Sequence, residues 1–132
     1  MTAWKAGMLI TAARLLDDTP TTTTSGIVAA TGFTVTTFTG YRVGNTIELN
    51  ANIQRTGADI PATTGNINDV QICTMPAGWR PTVGTTDFFW DSGFESGAFV
   101  MGTDGICTLR TATDNINTNA NLRLHAVFIV DS

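Results

Sequence analysis

The chain has 132 residues and a formal net charge of −4; 42% of its residues are hydrophobic and 14% are charged. This length fits one domain that buries a core of its own. The six Arg residues and Lys5 are scattered singly, so the sequence lacks the basic patch typical of a nucleic-acid-binding protein.

The cysteine spacing and the hydropathy exclude two further classes of protein. Cys73 and Cys107 are 34 residues apart and the chain has one His, which is not the ligand spacing of a zinc site. The two cysteines could pair, although two buried thiols in a reducing compartment is the simpler interpretation. We find no signal peptide and no apolar run of 18 residues, so we expect no secretion by that route and no membrane insertion. We also predict no cofactor.

Residues 1–20 differ in character from the rest of the chain. Thr11 stands where an N-cap would, good helix formers follow it, and Pro20 lies beyond them. The sequence therefore predicts one short helix, which would be marginal in isolation and must dock on its own domain or on a neighbour. The apolar side chains that would anchor this segment are Trp4, Met8, Leu9, Ile10, Leu15 and Leu16.

Residues 21–132 show the pattern of strands separated by turns. Runs at 27–30, 33–38 and 41–43 precede the clearest strand, 46–54, where apolar and polar residues alternate strictly. A period of two predicts a strand with one face on a core and the other in water. The apolar set is Ile47, Leu49, Ala51 and Ile53.

The second half of the chain continues this pattern. We predict a surface loop or loosely ordered strand pair over 56–68, a polar loop over 111–121 and a hairpin turn at Asp104–Gly105. Strands are predicted at 70–74, 85–90, 97–101, 106–110 and 122–130. Eight or nine short strands predict an all-β, antiparallel β-sandwich or jelly-roll-like domain, preceded by the short helix.

The last strand is apolar on both faces near its end. Val127 and Ile129 stand in the otherwise polar phase of its alternation. This pattern places the strand either in the middle of a sheet or at a contact between subunits.

An aromatic stretch beside carboxylates is the strongest binding signal in the sequence. Aromatic rings stack on sugar rings, and carboxylates accept hydrogen bonds from sugar hydroxyls. The alternative is that the rings are core, and at least one strand face must be, because Phe88 and Trp90 share a face that Phe89 does not. The predicted saccharide contacts are Phe89, Trp90, Asp91 and Glu95.

Catalysis is not predicted. His125 has no nucleophile elbow near it, so we interpret it as a surface or interface residue. A carboxylate pair for glycoside cleavage could in principle come from Asp87, Asp91, Glu95 or Asp104. We predict that the chain is not an enzyme.

Several stretches resemble one family. They resemble the C-terminal head domain of tailed-phage fibres and receptor-binding proteins. The matching stretches are residues 41–45 before an alternating strand, the corner 70–81 (Val-Gln-Ile-Cys-Thr-Met-Pro-Ala-Gly-Trp-Arg-Pro), the Asp-Gly turn 102–106 and the closing strand 122–130. Residues 6–15 resemble a short segment that precedes such domains in virion proteins. Residues 1–20 would then be an anchoring segment and residues 21–132 the head.

The resemblance implies a homotrimer on the virion surface, made in the host cytoplasm. Its partners would be other virion proteins of the tail or capsid and a saccharide of the host cell surface. Val127 and Ile129 would lie in the trimer interface, the alternative being a buried central strand of a monomer. Two other functions stay open: a capsid decoration protein docked through its N-terminal segment, and a cellular carbohydrate-binding module.

Overall fold

The computed structural model describes residues 5–9, 11–12, 19–91 and 95–131. Within these ranges the protein is all β, as the sequence predicts, with nine strands. They are β1 (Thr21–Thr23), β2 (Val28–Ala29), β3 (Phe33–Val43), β4 (Thr46–Arg55), β5 (Asn66–Thr74), β6 (Thr85–Asp91), β7 (Glu95–Met101), β8 (Ile106–Ala112) and β9 (Asn121–Ile129).

All nine strands belong to one sheet, in the order β1-β3-β4-β9-β6-β7-β8-β5-β2, and every pairing is antiparallel. Only residues 30–32 join β2, at one end of this order, to β3, near the other end. The sheet must therefore curl into a half-barrel that brings its ends together. The two packed sheets of a sandwich or jelly roll are not confirmed, because the curl of one sheet encloses the core instead.

The inner face of the curled sheet forms the core. The predicted apolar set of β4 is buried there, and Leu122, Leu124, Ala126 and Phe128 of β9 are buried beside it. β9 lies between β4 and β6, which is the first of the two positions that its apolar pattern left open. Alternation turns the other residues of these strands to the outer face, where they are available to contact a ligand or a partner.

The corner at 75–81 is joined by hydrogen bonds within itself and to the turn at 102–106. Met75 is buried, and its carbonyl oxygen accepts a hydrogen bond from Nε of Arg80 at 2.8 Å. Its backbone N–H donates to the carbonyl oxygen of Gly105 at 2.8 Å. Gly105 has φ +84°, and a Cβ atom there would lie 2.5 Å from Arg80 Nε, so the Asp-Gly turn requires this glycine.

The strand boundaries differ from the prediction most at β3 and β5. The predicted strands 33–38 and 41–43 are one strand, β3, which a bulge at Thr36 interrupts. The loop predicted over 56–68 ends earlier, because β5 begins at Asn66. This loop is held by a bridge between Ile60 and Ile116, both of them buried.

Much of the predicted N-terminal segment lies outside the described residues. This applies to the helix, apart from Thr11 and Ala12, and to Trp4, Ile10, Leu15 and Leu16. Met8 is half-buried and Leu9 is exposed. Among the described residues, no helix has the length and apolar character needed to cross a membrane.

Candidate interaction surface

One end of the outer sheet face carries an exposed apolar patch, which we define as Tyr41, Val43, Val127 and Ile129. Ile129 is 73% exposed and Val127 48% exposed. Strand register places Glu48 between Tyr41 and Val127, and Thr46 between Val43 and Ile129. The patch therefore occupies two neighbouring rows that run from β3 across β4 to β9.

The other end of the same face carries aromatic rings and a cation, which we call the aromatic row: Phe88, Trp90 and Arg123. Phe88 is 73% exposed and Trp90 44% exposed. Trp90 is the cross-strand partner of Arg123, whose Cζ lies 4.7 Å from the centre of the indole ring. The cation–π contact holds both side chains on the surface of the sheet.

The predicted saccharide contacts are split between the two faces of the sheet. Trp90 is on the outer face, and Glu95 is half-exposed at the start of β7. Phe89 and Asp91 are only 2% exposed, because alternation along β6 turns both of them into the core. A ligand at the surface therefore cannot contact Phe89 or Asp91, and the part of the prediction that includes them is wrong.

Polar side chains lie between the apolar patch and the aromatic row. Glu48 Oε1 accepts a hydrogen bond from Asn50 Nδ2 at 2.8 Å and lies 3.8 Å from Nε2 of His125. His125 is in turn the cross-strand partner of Phe88. This places His125 on the exposed surface, consistent with its interpretation from the sequence as a surface or interface residue.

A groove of about 720 Å³ adjoins the aromatic row. Phe88 is among its lining residues. The polar lining residues are all uncharged: Thr64, Asn66, Ser96, Thr111 and Thr113. The hydroxyl oxygens of two threonines accept hydrogen bonds from backbone N–H groups of β7, Thr111 from Ala98 and Thr113 from Ser96, both at 3.1 Å. Sequence reasoning missed these residues, because no periodic signal marks the register shift at Arg110 that turns Thr111 outward.

The carboxylates considered for glycoside cleavage do not form an accessible pair. Asp87 and Asp91 are four residues apart on β6, about 13 Å at strand spacing, which exceeds the separation used by glycosidases. Asp91 faces Glu95 across the hairpin but is buried, and Asp104 accepts a hydrogen bond from the backbone N–H of Ile106 at 3.0 Å. In the part of the chain that the structure describes, no three His, Cys, Asp or Glu residues are grouped to hold a metal ion.

The half-buried Asp87 and the buried Cys107 have shifted pKa values. Burial raises the pKa of Asp87, while a hydrogen bond from the Thr85 side chain and the charge of His125 act in the opposite direction. Cys73 and Cys107 are cross-strand partners and are both buried, free thiols. The hydrogen bond with Cys73, followed by burial, raises the pKa of Cys107.

No protein-family model matches this chain, and no curated protein sequence matches it.

Proposed function

We propose that the chain is a surface module of a tailed-phage virion, at a fibre end or tail tip, which assembles as a trimer and contacts host-cell saccharide. The observation that carries the binding role is the division of one exposed sheet face between an apolar patch and an aromatic row. The apolar patch offers the surface that a contact between subunits needs, and the aromatic row offers the groups that a contact with a sugar needs. The role is one of binding rather than catalysis.

The phage assignment is supported by the way in which the resembling stretches contact each other. The corner at 75–81 and the turn at 102–106 are separate in sequence, yet they are joined by the backbone hydrogen bond from Met75 to Gly105. Arg80 lies against both Met75 and Gly105. The motif residues thus form one structural unit rather than unrelated turns.

Trimer formation is supported by the apolar patch. Alternation along β9 directs Val127 and Ile129 away from the core, so intrachain packing does not bury them. Each square ångström of apolar surface that a second copy covers contributes about 25 cal/mol. A closed ring of three would cover the patch on every copy.

Saccharide recognition is supported by the aromatic row. Phe88 presents an exposed ring, and Arg123 supplies guanidinium donors beside the indole ring of Trp90. Glu95 adds an acceptor at the nearby hairpin. Rings combined with a few directed polar groups are the usual composition of a sugar-binding surface.

The experiment combines sedimentation with cell-wall binding. We expect the purified full chain to sediment as a trimer and to bind at least one preparation from a panel of bacterial cell envelopes. Trp90→Ala should weaken that binding without changing sedimentation. A monomer that binds no envelope preparation but binds phage capsids tightly would overturn the proposal.

A capsid decoration protein is the second candidate, and the exposed Leu9 favours it. The helix predicted to follow would then dock on the capsid together with this side chain. Deleting residues 1–20 should abolish capsid attachment and leave the β domain folded. Attachment that survives the deletion would exclude this candidate.

A further inference from the structure

We propose that the groove beside Phe88 binds a stretch of an uncharged pyranose chain. The inference rests on the proposed saccharide recognition and deepens it, since it names the subsite and the chemical class of the sugar.

The width of the groove follows from strand register. Phe88, Ala98, Thr111 and Asn66 are successive cross-strand partners on β6, β7, β8 and β5. Neighbouring strands are about 4.8 Å apart, so the backbones of Phe88 and Thr111 are separated by about 10 Å. Between them, β7 lines the groove with Ser96 and Gly97, which are both small, so an open channel remains next to the exposed ring of Phe88.

The polar side of the groove is already oriented. The hydroxyl oxygens of Thr111 and Thr113 each accept a backbone N–H bond from β7, which restricts the rotation of both side chains. A hydroxyl that accepts one bond still has a proton to donate and a second lone pair. Sugar hydroxyls likewise both donate and accept, and binding to side chains that are already restricted costs less conformational entropy.

The lining selects against charged sugars. Among the described residues that line the groove, none has an ionisable side chain. A uronate or sialate carboxylate would lose its water there without gaining a cation as partner, which is unfavourable. The net charge of −4 adds a general repulsion of acidic chains.

The probes are tetrasaccharides of matched length. The uncharged set is maltotetraose, cellotetraose and chitotetraose, and the acidic set is tetragalacturonate and a hyaluronan tetrasaccharide. Binding of each to the full chain is measured by calorimetry, and the contact is located by amide chemical-shift changes. We expect at least one uncharged probe to bind, the acidic probes to bind at least tenfold more weakly, and the changes to centre on Ser96, Ala98, Thr111 and Thr113.

A filled groove provides the decisive variant. Ser96→Leu places a large side chain at a residue that lines the groove and should raise the dissociation constant at least tenfold. Val100→Leu is the matched control, because Val100 is four residues along the same strand and does not line the groove. Should Ser96→Leu fail to fold, Phe88→Ala at an exposed position replaces it and should weaken binding by a similar factor.

The outcomes separate this inference from the proposed function. Three results would overturn the groove and keep the proposed function: binding that Ser96→Leu and Phe88→Ala leave unchanged, a preference for acidic probes, or no binding of any probe by a protein that still binds cell envelopes. Shifts at the groove amides that follow protein concentration instead of sugar would assign the groove to contact between copies and also overturn it. Failure of the unmodified chain to bind any envelope preparation would count against the proposed function itself.

Discussion

The indole ring of Trp79 lies so close to Gly40 of β3 that a Cβ atom at residue 40 would be 2.9 Å from Cε3 of the ring. Trp79 also packs on the core, and its backbone N–H donates to the carbonyl oxygen of Pro76 at 3.1 Å. The corner at 75–81 therefore contacts β3 near one edge of the sheet as well as the turn after β7. These contacts tie together strands that are distant in the sheet order.

Gly40→Ala should destabilise the fold, because the new methyl group would push Trp79 away from β3. The expected loss is about 1–3 kcal/mol in the free energy of unfolding, as for other overpacking substitutions. Urea denaturation followed by tryptophan fluorescence measures it.

Gly84→Ala is the matched control for this substitution. A Cβ atom at residue 84 would meet only the carbonyl oxygen of Met101, at an ordinary contact distance of 3.5 Å. Its effect should stay within about 0.5 kcal/mol. Equal losses for the two variants would show that the contact with Trp79 is not the cause.

The sequence predicts the strands with strict alternation well, and β4 and β9 are the clearest cases. Their apolar phases are buried as expected, since a period of two has one physical solution when one face meets a core. It does not predict that β9 inserts between β4 and β6. The position of β9 in the sheet depends on packing between residues far apart in the chain, and local periodicity contains no information about such packing.

The aromatic stretch shows a subtler limit of sequence reasoning. Alternation predicts that Phe89 and Trp90 face opposite sides, but not which of them is inside. The structure shows the reason for the outcome at Gly97, the cross-strand partner of Phe89. A Cβ atom at residue 97 would lie 2.5 Å from Cζ of Phe89, so the missing side chain creates the space that the inward ring fills. Such complementarity between strands cannot be read from either strand alone.

The double substitution Val127→Asp and Ile129→Asp should convert the proposed trimer to monomers. Two carboxylates on each copy would have to lose water inside the interface, without a partner cation in the apolar patch. The strand itself should stay folded, because both side chains are on the outer face. Analytical ultracentrifugation and circular dichroism check the two parts of this expectation.

Val83→Asp is the control for the loss of trimers. Val83 is also an exposed aliphatic residue, but it lies in the loop before β6 and outside the apolar patch. It should leave the sedimentation unchanged. Trimers that persist in the double variant would show that the patch is not the interface.

Asp87→Asn should raise stability at neutral pH. Because burial raises the pKa of Asp87 above its ordinary value of 3.8, the native state holds the proton more tightly than the unfolded chain does. The contribution of this carboxyl is therefore fully present below pH 3.8 and is lost as the pH rises through the native pKa. The free energy of unfolding of the variant should rise relative to that of the native protein from pH 3 to pH 7, as measured by urea denaturation across that range.

Asp59→Asn should show the opposite pH dependence. Hydrogen bonds from the backbone N–H and the hydroxyl of Thr118 lower the pKa of Asp59 below 3.8, so its contribution is present above that pH and is lost as the pH falls through the native pKa. The variant should be less stable than the native protein at pH 7, with the difference shrinking in acid. Parallel profiles for Asp59→Asn and Asp87→Asn would contradict both assignments.

Cys73 and Cys107 should resist alkylation in the native protein. Both thiols are buried, and the raised pKa of Cys107 keeps it protonated, whereas the thiolate is the reactive form. Labelling by iodoacetamide at pH 8 then requires the sheet to open between β5 and β8, and the rate should be about 10³-fold lower than for the unfolded chain. Mass spectrometry before and after denaturation in guanidinium measures this, with two labels per chain expected only after unfolding. Rapid labelling of the native protein would show that the pairing of β5 with β8 opens easily, and a mass lower by two hydrogens would show a disulfide across the strands.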